Sequence, residues 1–406
     1  MADPVQEQYE AYPYPGRNPA EESARLVTGS PSRVAEIDHY LFRGRRDWRQ
    51  PFRVLVAGGG TGDATVMLAQ QLHEKSVKAE ITYLDLSSAS RRIAEQRIAA
   101  RGLSNVTFRS GSLLDLSKMG LGGFDYIDCC GVLHHLPDPE AGLASLTAAL
   151  APGGGIGIMV YGEYGRTGVY PLQAALLQLA GDMPLAEQIT LAKKLLPALP
   201  VTNGFRNNRF LGDHQRGDAE LVDLLLHRQD RAYTVPQLAA LVAGAGLKIA
   251  SFIEPLRYDP GLYLTDPALA KRAAALPMLE QAALAERLAG NMKLHIAYLS
   301  RAYLNRDSST VAVPAPEAIP LFIEWDAATI ARAVQQQGGI RGAFDGLPVT
   351  LPLPRPAPAI LKLIDGTRSL DSIRQESGFA DWDGFMAVFH PVWRALNGIN
   401  RLVLRY

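Results

Sequence analysis

A strand-type run that breaks into a glycine turn and opens into a helix is the strongest constraint on this fold. Residues 53–57 read RVLVA, residues 58–62 read GGGTG, and Val66, Leu68, Ala69 and Leu72 then follow at helical spacing. Such a turn brings backbone close to a ligand and aims a helix N-terminus at it. Further apolar runs stand at 80–86 (EITYLDL), 106–109, 124–130 (FDYIDCC) and 156–161, with helical patterns at 88–101 and 140–150. Strands alternating with helices imply an α/β fold, a mostly parallel sheet with helices on both faces.

The alternation pauses after residue 161 and resumes at 234–247, TVPQLAALVAGAGL, a helix with a Thr cap and a Gly stop. Strand-like runs follow at 248–254 and 294–301. We therefore expect an N-terminal lid segment and helix at 1–50 and an α/β domain at 51–304, with insertions at about 163–233 and 257–292. A linker at 305–320, with a Ser-Ser-Thr run and three prolines, leads to a small C-terminal α+β unit at 321–406. In that unit 348–358 (PVTLPLPRPAP) is extended, 360–373 (ILKLIDGTRSLDSI) reads helix–turn–helix, 385–396 is a helix and 402–405 a strand.

Composition excludes several classes. Lys and Arg total 41 and Asp and Glu total 41, so the chain has no net charge to concentrate on a phosphate backbone, and no nucleic-acid partner is expected. The two cysteines, Cys129 and Cys130, are neighbours on a strand and face opposite ways, so no disulfide scaffold and no metal site is expected of them. No apolar leader and no span of ~20 apolar residues is visible, so the expectation is a cytoplasmic protein without a membrane partner.

Asp85 closes the second strand-like run, where an acid can take both hydroxyls of a ribose. The dinucleotide fingerprint needs a third glycine, and this chain has Asp63 there. A carboxylate at that helix entrance repels a pyrophosphate, which argues against an NAD(P)-dependent oxidoreductase. A sulfonium cofactor has no phosphate.

With VLVAGGGTGDA (54–64), ITYLDLS (81–87), FRSGSLLDL (108–116), FDYIDCCGVLHHLPDPEAGL (124–143) and LAPGGGIGIMVYG (150–162) in order, the sequence resembles the class I S-adenosylmethionine-dependent methyltransferases. The resemblance implies a Rossmann-like, seven-stranded sheet and S-adenosylmethionine as cofactor. It implies that Gly58, Gly60 and Thr61 border the methionine and ribose portion, Asp85 holds the ribose, and Leu86 packs on the adenine. Ser112 and Leu113 would sit at the adenine edge, with Cys130 and Gly131 at the sulfonium and amino group. The family usually has an acid at the position of Val56, which helps bind the amino group. Tyr12 and Tyr14, in a YPYP segment, are the candidates to replace it as part of a lid.

Three catalytic candidates emerge, His135, His227 and Tyr233. His134 and His135 follow the fourth strand, and one of them serves as base or both pack the rim. Asp223 and His227 stand four apart on an expected helix, 219–227, and Tyr233 follows closely. The alternative there is helix capping with a solvated ion-pair cluster. The basic stretch 43–53 (RGRRDWRQPFR) is either a solvated helix end or an anion contact. The C-terminal 360–373 is similar to small peptide-binding winged helices; packing or homodimer formation is the other reading. The expected acceptor is a small molecule or a peptide or protein side chain. The competing class is a cofactor-sensing, peptide-binding module without turnover.

Overall fold

The computed structural model describes residues 4–302 and 309–406. Seven strands form its centre: β1 (Phe52–Ala57), β2 (Ala79–Asp85), β3 (Val106–Ser110), β4 (Phe124–Cys130), β5 (Leu150–Tyr161), β6 (Leu247–Phe252) and β7 (Leu294–Arg301). Their spatial order is β3-β2-β1-β4-β5-β7-β6. The first five run parallel, and β7 lies antiparallel to both β5 and β6. This is the expected Rossmann-like, mostly parallel sheet.

Helices α1 (Pro4–Ala11), α2 (Val34–Leu41), α3 (Asp63–Glu74), α4 (Ser88–Ala100) and α5 (Pro139–Ala149) serve this sheet. One sheet face packs Leu55, Ile127 and Ile158 against Leu143 of α5 and Leu238 and Ala282 of later helices. The other packs Val54, Val56 and Tyr126 against Ile37 of α2, Val66 of α3 and Ile98 of α4. A strand buried on both faces reads as a continuous apolar run, which is why these strands were visible in the sequence.

β5 begins earlier than expected. Its triple glycine, Gly153–Gly155, lies within the strand, where the register with β4 shifts between Phe124 and Tyr126. A Cβ on Gly154 would stand 2.7 Å from the Phe124 carbonyl oxygen, and one on Gly155 2.7 Å from Leu41. The glycines let two strands and α2 close up.

The first insertion has its own apolar cluster, including Val169, Leu176, Ile189, Phe205 and Leu225. The expected helix 219–227 is one α-turn, Asp218–Leu221, followed by a π-helical turn, Val222–Leu226. His227 then leaves the helix with φ −61° and ψ 131°.

The C-terminal unit has its own apolar core, running from Ala312 to Leu404. Its strands are β8 (Ile319–Phe322), β9 (Gly339–Phe344), β10 (Leu347–Pro352) and β11 (Leu402–Arg405). β9 and β10 make a hairpin, and β11 pairs antiparallel with β8. The helix–turn–helix reading corresponds to Ala357–Leu361 and Leu370–Glu376, and the longest helix is Trp382–Gly398. The helix Ala327–Gln337 and strand β8 were not expected.

Residues 1–3 of the lid segment, the 304/305 boundary and linker residues 305–308 lie outside the described residues. The rest of the expected linker is docked: Ala318 is fully buried, its carbonyl accepts the Leu370 amide at 2.8 Å, and the Pro316 carbonyl accepts the Asp371 amide at 2.9 Å. Proline lacks a donor, but its carbonyl still binds. The basic stretch 43–53 is largely consumed in similar contacts. Arg45 pairs with Glu317 and lies 3.8 Å over the Tyr406 ring, and the Arg43 amide binds the Thr310 carbonyl. Tyr40 donates to Asn400 at 3.0 Å, which completes the seam between α2 and the C-terminal unit.

Candidate active site

A cavity of about 660 Å³ opens at the carboxyl ends of β1, β2 and β4, the place where ligands enter open α/β sheets. The glycine turn forms its floor. Gly58 and Gly60 have φ of +74° and +50°. A Cβ on Gly58 would stand 2.3 Å from Val132, so the turn is packed without side-chain room on that side. Asp85 lines the cavity beside it, its two oxygens accepting the amides of Gly60 at 2.7 Å and Ser87 at 2.8 Å. Burial raises the Asp85 carboxyl from its ordinary value, and these amides oppose the rise. Each oxygen keeps a lone pair for a ligand hydroxyl.

Leu86, Ser112, Leu113, Cys130 and Gly131 also line the cavity. Thr61 does not: it is buried, and its hydroxyl donates to the Pro15 carbonyl at 2.7 Å. It holds the lid. Tyr14 lines the cavity, whereas Tyr12 packs on the apolar cluster of the insertion. Within the same N-terminal segment, α1 also borders the cavity through Val5, Gln6 and Tyr9. Gln6 donates to the Leu86 carbonyl, the Ser87 hydroxyl donates to the Tyr9 carbonyl, and Glu10 accepts the Ala89 amide at the start of α4.

Asp63 is not turned toward a ligand phosphate position as an open charge. Arg17 grips it through two bonds of 2.9 and 2.6 Å, and Arg97 adds a third at 2.7 Å. The repulsion argument drawn from its charge is therefore weaker than the sequence suggested. The sheet order decides the matter instead, since a dinucleotide fold continues 3-2-1-4-5-6 without an antiparallel strand inserted before the last.

The far end of the cavity gathers side chains from distant parts of the chain. Asp223 is buried and accepts the Tyr161 hydroxyl at 2.7 Å and the Tyr9 hydroxyl at 3.0 Å. Burial raises its carboxyl from the ordinary value. His227 lies 3.2 Å from the Tyr9 oxygen through Nε2, while its Nδ1 accepts the Gln229 amide. A ring nitrogen that accepts an N–H carries no proton, so neutral His227 is protonated at Nε2 and donates to Tyr9. His135 has the opposite tautomer: its Nδ1 faces the Gln229 carbonyl at 2.9 Å and must donate, which leaves Nε2 basic. The two rings stack at 3.8 Å with 18° between their planes. Burial, with the neighbouring His135, pushes the His227 imidazole well below its ordinary value, so it stays neutral.

Among the sequence-derived catalytic candidates, His135 lines the cavity and His227 contacts the cluster. His134 is fully buried beneath, its ring 3.9 Å from that of Tyr161. Tyr233 belongs to the core on one sheet face, and its hydroxyl is buried without a partner away from the cavity lining. Tyr9, Tyr161 and Arg166 were missed. Arg166 pairs with Asp230 at 2.9 Å and stacks 3.7 Å over Tyr161.

Two groups here have the composition of a metal site, His134–His135–Asp230 and His135–Asp223–His227. The donor chemistry does not suit a cation. His227 has Nδ1 engaged by an amide and Nε2 protonated, and Arg166 already sets a positive charge on Asp230. The cluster is arranged to hold protons.

The glycine turn, the acid at the end of β2 and the seven-stranded order define a class I, S-adenosylmethionine-dependent methyltransferase fold. Residues 55–156 match a family model described as a methyltransferase domain. The chain is 32% identical over 263 residues to an uncharacterized protein of Synechococcus sp., covering 62% of this chain and 60% of that protein. It is 32% identical over 117 residues to the tRNA 5-carboxymethoxyuridine methyltransferase of Escherichia coli strain K12, 29% of this chain and 42% of that one. A ubiquinone biosynthesis O-methyltransferase of Paracidovorax citrulli shares 29% identity over 102 residues, 25% and 40% of the two chains. The chain thus spans less than two thirds of the length of these curated relatives. Among solved structures, that of PKMT2 from Rickettsia typhi superposes with a TM-score of 0.61 at 16% identity, covering 94% of this chain and 77% of that one. At 94% coverage the likeness in fold extends into the C-terminal unit.

Proposed function

We propose that the protein transfers a methyl group from S-adenosylmethionine to a small or medium-sized acceptor, or to a peptide side chain reaching the same cavity. One observation carries this reading. One cavity is lined by the glycine turn and Asp85 and also by His135, whose Nδ1 is held on the Gln229 carbonyl.

The sulfonium supplies an activated methyl carbon, and its carbon–sulfur bond breaks as the bond to the acceptor forms. The chain's part is to hold, align and dry the reactants. Gly58, Gly60, Asp85, Leu86, Ser112 and Leu113 border the adenosine and its tail, while α1 and Tyr14 exclude water. His135 takes the acceptor proton at Nε2. Its Nδ1–H stays fixed on the Gln229 carbonyl, and the resulting imidazolium faces the buried Asp223 carboxylate. Tyr9, Tyr161 and His227 orient that carboxylate.

The tRNA methyltransferase and the O-methyltransferase share with this chain about a hundred residues around the cofactor half, so their acceptors are not carried over. The neutral net charge supports an acceptor other than nucleic acid. Among the described residues no helix is long and apolar enough to cross a membrane. Placement in the cytoplasm, a division of the chain ahead of Ala312, where the C-terminal core begins, and pairing of two chains through the C-terminal unit belong to this proposal. Sedimentation of the full chain and of residues 1–306 tests the last two.

Labelled-methyl transfer into a cell extract, split into metabolite and protein fractions, tests the activity. Label in one fraction, lost with His135→Ala, is the expected result. Tight S-adenosylmethionine binding with no label in either fraction would make the protein a cofactor sensor instead.

A further inference from the structure

The family's acid is missing at Val56, and the structure has an acid directly beside it. In the β1–β4 register Val56 pairs with Asp128. Paired residues of parallel strands point to the same sheet face, with strands roughly 4.8 Å apart. Asp128 therefore rises next to the side chain that replaced the acid, and both line the cavity.

Asp128 is fully buried. Its Oδ2 accepts the Ser32 hydroxyl at 2.7 Å and, more weakly, that of Tyr126 at 3.4 Å. Its Oδ1 is buried with no hydrogen-bond partner. Both partners are neutral hydroxyls. A buried acceptor left unpaired is costly, and more so when it is a carboxylate. Ser32 is itself held in place, since the Pro31 carbonyl accepts Tyr126 and Tyr298 at 2.8 Å each. The wall is therefore built around an oxygen with nothing in it to bind. A cationic N–H group in the cavity is the complement.

We propose that Asp128 binds the α-ammonium of the cofactor's methionine portion through Oδ1, a role moved one strand across the sheet from the position of Val56. This rests on the methyltransferase reading above. It replaces the assignment of that role to Tyr12, which packs elsewhere, and to Tyr14, whose phenol is neutral. Burial pushes the Asp128 carboxyl up to about 6, so it is substantially ionised at neutral pH and available to a cation.

Isothermal titration of the full chain with S-adenosylhomocysteine and with its deaminated analogue, in which hydrogen replaces the α-amino group, tests this. A charge-assisted bond predicts that wild type prefers the amine by roughly 10–100-fold. Asp128→Asn, which keeps an acceptor for Ser32, should lose most of that preference while binding the deaminated analogue as well as wild type does. Asp128→Ala should behave alike if the first variant does not fold. Equal wild-type affinity for the two ligands would overturn the assignment whatever the variants do, as would a preference that survives in them. Binding of neither ligand by wild type would overturn the cofactor reading and this inference together, and is thereby distinguishable from equal binding.

Discussion

The two ends of the cavity are built by different means. At the proposed cofactor end, backbone does most of the work, and each part is short in sequence: GGGTG at 58–62, Asp85 at a strand end, Ser112 and Leu113 just after another. At the proposed acceptor end, side chains do the work. Tyr9 bonds to Asp223 across 214 positions and Tyr161 bonds to Asp223 across 62. A backbone site tolerates little change in shape, because there is no rotamer to adjust. A side-chain site tolerates more, and single losses there should damage turnover more than folding or cofactor binding.

The sharpest break in that comparison comes from Gly58→Val. The position has φ +74°, and a Cβ would stand 2.3 Å from Val132. The variant should bind S-adenosylhomocysteine at least about 100-fold more weakly, or fold poorly, since a β-branched residue at positive φ is strained. Titration and circular dichroism check it. Unchanged affinity would mean that the turn does not border the ligand.

Next in size is His135→Gln. Loss of a positioned general base costs typically 10²–10⁴ in kcat. Affinity for S-adenosylhomocysteine should stay within about threefold, as the ring stands at the other end of the cavity. Equal losses in both ends would remove the distinction between them.

The cofactor end was legible because its parts are short in sequence and fixed by strand ends. The seven strands were legible because burial on both faces forces apolar runs, such as ITYLDL and FDYIDCC. The acceptor end was only half legible. His135 and His227 stood out as titratable groups after predicted elements. Tyr9 did not, since nothing in EQYEAY says which phenol will cross 200 residues to a carboxylate. The π-helical turn at Val222–Leu226 also has no local signal, and His227 leaves the helix directly after it. Tyr233 looked like a site residue because it follows the polar stretch, but its backbone bridges Gly162 and carries the ring into the core. Asp128 carries a local signal of its own, since a carboxylate inside the apolar strand FDYIDCC demands a partner.

Tyr9→Phe should have an intermediate effect. It strips one hydroxyl from Asp223 and the acceptor from His227 Nε2–H, leaving two buried polar groups unpaired at about 1–3 kcal/mol each before relaxation. We expect a loss of turnover smaller than that of His135→Gln, together with a lower melting temperature. If only the melting temperature moves, the phenol is structural.

The smallest effect separates stability from binding at Asp128. In the folded chain its carboxyl titrates at about 6 because of burial, against an ordinary value of 3.8. A folded value raised above the unfolded one means the unfolded chain loses its proton first. The empty protein therefore pays no penalty at pH 3.8 or below, and loses stability as pH rises through 6. Two units correspond to about 3 kcal/mol at most, and partial water entry reduces that. Asp128→Asn cannot ionise, so it should melt higher than wild type at pH 7.5, with a gap about a third as large at pH 4.5. The added stability should come with weaker binding of S-adenosylhomocysteine at pH 7.5. A variant that melts lower than wild type at both pH values would show that the carboxylate is satisfied without a ligand, and Oδ1 would then have no cation to wait for.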